Sequence, residues 1–238
     1  MQQILEQTHP EWHAIIELAL KRMDQNYLLE LAHESDWLPG ITKLLAAFSL
    51  PLSETRYLLL GESPYPRALS ANGYAFWDNA VGSLWSETGL SKAVNRATSL
   101  RNIMKMLLLA RGDLGLDLSQ TAITQLDKSK YIQTGEELFN TLINKGFLLL
   151  NATLVYSDGK VRFHARHWQP FMHSLFSQLL EKKPAIQLIL LGKIANEVPN
   201  AQLFPCLIAE HPYNLSFITN TNVLDFFKPL DLLNRHAH

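Results

Sequence analysis

The chain has 238 residues, 47% hydrophobic and 18% charged, which suits a sizeable core and does not suit disorder. Its formal net charge of −1 excludes a polycation, so any nucleic-acid contact must come from a local basic patch. The single cysteine, Cys206, excludes an internal disulfide, a four-cysteine zinc site and a self-contained iron–sulfur cluster, and fits a reducing, intracellular setting.

The stretch "MQQILEQTHPEWHA" carries acids and a proline where a signal peptide needs a basic start and an apolar core. No apolar run approaches the ~20 residues of a membrane span. A soluble, cytoplasmic monomer is expected, folded as one domain over residues 1–238, with no membrane partner. Residues 12–31 place Trp12, Ile15, Ile16, Leu18, Leu20 and Met23 at helical spacing, which predicts one or two amphipathic helices. "WLPG" at 37–40 breaks the pattern, and a short helix is expected over 44–48 before Pro51.

Short apolar runs follow: "YLLLG" (57–61), "GFLLLN" (146–151), "IQLILLG" (186–192) and "CLIAEH" (206–211). None alternates apolar with polar, as expected of strands buried on both faces of a parallel sheet. Helical stretches at 99–111, 135–145 and 168–182 separate them. The pattern predicts an α/β fold, a three-layer α/β/α arrangement around a central four-stranded parallel sheet. The runs end in Glu62, Asn151, Gly192–Lys193 and His211. Ligands in such sheets bind beyond the carboxyl ends of the strands, so these residues could share one pocket. Polar residues closing apolar runs in any globular protein are the alternative.

Several motifs, in this order, resemble the uracil-DNA glycosylase superfamily, and within it the family-1 uracil-DNA glycosylases. "GESPYP" (61–66) resembles the family's water-activating loop Gly-Gln-Asp-Pro-Tyr-His. "GYAFW" (73–77) is similar to the segment whose phenylalanine stacks on uracil. "TSLRNI" (98–103) resembles the serine-bearing loop and its following helix. "LLLNATL" (148–154) resembles the uracil-reading strand, and "HPYNLS" (211–216) the minor-groove loop. The resemblance spans roughly residues 10 to 230, most of a domain.

The resemblance implies hydrolysis of the N-glycosidic bond of uracil, or a related damaged base, in DNA, as in base-excision repair. No cofactor is implied, and the partner is DNA carrying such a base. It implies catalytic roles for Glu62, which would handle water, and His211, which would donate to uracil O2. Base-binding roles fall to Asn151, which reads the edge, to Phe76, which stacks, and to Tyr65, which excludes thymine's methyl. Ser99, Leu215 and Ser216 are the implied DNA contacts, with Leu215 as the wedge and Tyr213 or Phe217 as its alternatives; Lys193, which follows the third strand where the family has a serine, could bind phosphate directly. The chemistry agrees with these residue types. Base excision needs a donor at the leaving anion, negative charge near the sugar, and a reader for an everted base.

The pattern departs from the family in one loop. Ser63 stands where the family has its aspartate, and Pro66 where it has a histidine. Other branches carry Gly-Glu-Ala-Pro-Gly, with the glutamate handling water, and Glu62 fits that form. The rival reading is a weak or inactive relative that binds DNA or a flipped base. Residues 80–97 read as an insertion in which Trp85, Lys92 and Arg96 could touch DNA. Arg162, Arg166 and Lys228 are further basic candidates. "HARH" (164–167) lacks the supporting ligands of a metal site, and no metal is expected.

Overall fold

The leucine-rich runs form the centre of the molecule because each has two faces to bury. The computed structural model describes residues 2–235. Its helices are α1 (Gln2–Leu5), α2 (His13–Lys21), α3 (Gln25–His33), α4 (Lys92–Arg96), α5 (Thr98–Arg111), α6 (Gln120–Thr124), α7 (Gly135–Asn144), α8 (Val161–Lys182) and α9 (Thr221–Phe227). Its strands are β1 (Tyr57–Gly61), β2 (Trp85–Ser86), β3 (Gly89–Leu90), β4 (Phe147–Asn151), β5 (Gln187–Leu191) and β6 (Cys206–Ala209). The main sheet has the order β4-β1-β5-β6, and every pairing in it is parallel.

Alternate residues of these strands enter two separate cores. Leu58, Leu60, Leu148, Leu150, Leu188 and Leu190 face Trp12, Ile15 of α2, and Trp168 and Phe171 of α8. Leu59, Phe147, Leu149, Ile189 and Leu191 face Met104 and Leu108 of α5, Phe139 of α7 and Val223 of α9. The expected three layers are therefore present. Each such leucine, fully buried, contributes ~1.5–3 kcal/mol over an exposed one.

Local signals fix the helix ends. The Asp24 side chain accepts from Asn26 and Tyr27 N–H at the start of α3. Thr134 and Glu137 form a reciprocal capping box on α7. Gly112, at φ 81°, closes α5 in the left-handed region.

Three expectations need correction. The short helix expected over residues 44–48 is a 3-10 helix displaced to Ala46–Ser49. Helix α8 starts seven residues earlier than 168, at Val161 (168 − 161 = 7). Pro170 lies inside it and reads as a breaker. The buried stripe His164, Trp168, Phe171, Met172 and Leu175 nevertheless keeps helical spacing, and packing overrides the proline. The 80–97 segment holds the antiparallel β2–β3 pair and α4, and its Trp85 is not a surface residue. That indole is buried and donates to Ile132 O at 2.7 Å, which removes it from any DNA contact.

Candidate functional site

The register of the sheet brings its carboxyl ends to one rim. Gly61 pairs with Asn151, and Leu191 with Ala209, two residues before His211. A cavity of about 660 Å³ opens there, walled by Glu62, Phe76, Lys193 and His211 among others. Asn151 borders it through Gly61. A Cβ on Gly61 would lie 2.6 Å from Asn151 Oδ1 and 2.8 Å from Ala75 Cβ. Only glycine leaves room for that amide. On the other side, a Cβ on Gly192 would lie 2.8 Å from His211 Cβ.

Asn151 is 3% exposed, yet its side chain makes no hydrogen bond to any described residue. Its donor and acceptor are both open to a group that fits them.

Tyr213 N–H donates to His211 Nδ1 at 3.1 Å. A backbone N–H can only donate, so Nδ1 accepts and the neutral ring carries its proton on Nε2. Burial holds this imidazole below its ordinary pKa, while the Glu62 carboxylate pulls the other way. The ring is therefore neutral at pH 7, with its one N–H unused by any described residue. Its plane lies 29° from that of Phe76, with ring centroids 5.9 Å apart.

Phe76 occupies a strained position. Its φ is 63°, left-handed for a residue with a Cβ, which costs ~1–3 kcal/mol. Neighbouring bonds hold it there. Ala75 N–H donates to Leu149 O on β4 at 3.0 Å, and the Tyr65 hydroxyl donates to Phe76 O at 3.2 Å. Burial, reinforced by Asp78, pushes the Tyr65 pKa up to about 12, so the phenol stays protonated and keeps donating. Arg67 and buried Asp78 pair at 3.2 Å and tie the two ends of the loop between Tyr65 and Phe76.

Glu62 has a fixed backbone and a free side chain. Its carbonyl accepts from Thr153 N–H at 3.0 Å, and its side chain is exposed at the cavity wall. Ser63 beside it is half-buried and brings no charge.

Of the remaining predicted residues, Lys193 and Tyr213 line the cavity. Leu215 is 70% exposed and Tyr213 68% exposed on the loop that continues from His211. Phe217 is fully buried and drops out as a wedge. Ser216 is exposed, and Asn220 Nδ2 donates to the Glu210 carboxylate at 2.7 Å. Lys193 is exposed at the cavity wall. Ser99 lies half-buried in the first turn of α5, which packs against the turn Leu215–Thr219.

Known proteins resemble this chain in sequence and fold. Curated proteins named uracil-DNA glycosylase match the chain, such as that of Corynebacterium glutamicum, 28% identical over 196 residues, covering 77% of this chain and 72% of the relative. The wild-type UNG crystal structure from Nitratifractor salsuginis is 41% identical, covers 98% of this chain and 96% of that one, and superimposes with a TM-score of 0.93. The chain belongs to the uracil-DNA glycosylase superfamily. The mimivirus uracil-DNA glycosylase, at 16% identity and TM-score 0.59, shares the fold. No family model matches the chain.

Within this superfamily member, sequence reasoning missed two supports of the site. Asp78 follows the aromatic "GYAFW" and reads as a surface acid, yet it is 4% exposed. Asn102 lies within "TSLRNI", where the serine drew attention. Its signal was a lone amide between Leu100 and Met104 on the apolar side of α5. Of "HARH", His164 alone is buried, where it bonds Tyr27 Oη at 2.8 Å and Ser157 Oγ at 3.1 Å.

Proposed function

We propose that this chain hydrolyses the N-glycosidic bond of uracil in DNA. The observation that carries the proposal is the Asn151 amide, unpaired among the described residues and packed against Gly61 of the cavity wall, beside His211 of the same wall, whose Nε2–H is unused. The names of its relatives support the substrate.

In this reading an everted uracil lies against Phe76. Asn151 donates to O4 and accepts from N3–H. That pairing suits uracil and not cytosine, whose exocyclic amine meets the wrong end of the amide. Tyr65 fills the space that thymine's methyl would need. The C1′–N1 bond breaks and its electron pair moves to the base. His211 Nε2–H donates to O2 as the charge gathers there. Glu62 orients the water that adds to C1′ and takes up its proton, standing in for the acid absent at Ser63. Lys193, Ser99 and Ser216 hold phosphates, and Leu215 enters the vacated stack. Two cores sharing one sheet support a single domain, and a lone thiol suits the cytoplasm.

The test is single-turnover release of uracil from a uracil-containing oligonucleotide by the purified protein. Release is expected. A parent protein that binds the oligonucleotide and never releases uracil overturns the catalytic reading.

A further inference from the structure

We infer that Asn102 sets the tautomer and pose of His211, acting through the Pro212–Tyr213 peptide; the inference rests on the role proposed above for His211. Asn102 is fully buried in α5, far from the cavity in sequence. Its Nδ2 donates to Pro212 O at 2.7 Å, with a longer contact to Tyr213 O at 3.4 Å. Its Oδ1 lies 3.4 Å from Arg101 Nε, a donor, and Arg101 Nη1 in turn donates to Asn95 O at 3.1 Å. The amide cannot be flipped without setting its oxygen against two carbonyl oxygens and its NH₂ against a guanidinium.

Pro212 O and Tyr213 N–H belong to the same peptide unit. That unit is planar, with its carbonyl and N–H pointing in opposite directions. Anchoring the carbonyl on Asn102 therefore aims the N–H the other way, at His211 Nδ1, 3.1 Å off. The bonds line up as Asn102 N–H, Pro212 carbonyl, Tyr213 N–H and His211 Nδ1. Each polarises the next, and the proton of the ring is left on Nε2. The exposed loop gives this peptide no other described side-chain anchor, since Tyr213, Asn214, Leu215 and Ser216 are all exposed. Asn102 touches neither base nor sugar in this arrangement. It is a positioning residue.

Its removal should therefore show on the imidazole itself. Long-range ¹H–¹⁵N spectra of the His211 ring in the free parent protein should show an unprotonated Nδ1 and a protonated Nε2 near pH 7.5. In Asn102→Ala the two tautomers should mix. Single-turnover release should fall about tenfold, less than for loss of a direct oxyanion donor, with oligonucleotide affinity kept within twofold. In a His211→Ala background, Asn102→Ala should cost nothing further. Where Asn102→Ala does not fold, Asn102→Ser carries the same tests, because its hydroxyl stops one bond short of the amide nitrogen. A variant that keeps the pure Nε2–H tautomer overturns the inference, as does an equal rate loss in both backgrounds. The spectra read out without turnover, so a parent that never cleaves uracil leaves this test standing on its own.

Discussion

His164 and His211 are both drawn below the ordinary imidazole pKa by burial, and only one borders the cavity. Their ring nitrogens explain the difference. Trp168 Nε1 donates to Tyr27 Oη at 3.1 Å, and the Tyr27 hydroxyl bonds His164 Nδ1 at 2.8 Å. The other His164 nitrogen, Nε2, bonds Ser157 Oγ at 3.1 Å. His211 carries its proton on Nε2, enforced by a backbone N–H, and that Nε2–H meets no described residue. A closed chain of donors and acceptors builds structure. A chain with one open end can do chemistry.

The sharpest way to break this contrast is His211→Ala. Single-turnover release should fall about 10²- to 10³-fold, as for loss of one oxyanion donor, while the thermal midpoint moves little. A rate within twofold of the parent would remove His211 from the chemistry. Glu62→Gln comes next, with a loss of about 100-fold at unchanged oligonucleotide affinity, the low end for a general base. A matching loss of affinity would make Glu62 a binding group instead.

His164→Leu should act on stability alone. Stranding the Tyr27 hydroxyl costs ~1–3 kcal/mol, to be read in urea denaturation, and the folded fraction should turn over normally. If turnover falls more than stability explains, the closed chain is not merely structural.

The smallest effect is in pH. Both histidines have folded pKa values below the unfolded value of about 6.5, so between that pH and the lowered values the folded state binds fewer protons. Stability is full above about pH 6.5 and declines as pH falls through this window, by up to ~1.4 kcal/mol per pH unit for each group. The lowered carboxylates Asp117, Asp127 and Glu210 act at lower pH. Urea midpoints at pH 8, 6.5 and 5 should show the decline, and His164→Leu should make it shallower.

The strands were legible because burial on both faces removes the need for alternation. Runs such as "YLLLG" can then mean little else. Their polar ends pointed Glu62, Asn151 and His211 to one pocket, and the resemblance added Phe76 and Tyr65. The start of α8 was hidden by Pro170, whose local penalty says nothing of the aromatic stripe that offsets it. The burial of Trp85 depends on Ile132, 47 residues away. The tautomer of His211 depends on where one backbone N–H points, which no side-chain pattern records.

At position 61 the molecule uses a hydrogen atom where nearly every residue would bring a carbon. Asn151 Oδ1 and Ala75 already fill the space around it. Gly61→Ala would push the amide aside or seal the recess with its own methyl, so a well-packed variant could lose its substrate to a single built-in plug. Here the protein's selectivity begins with an atom left out.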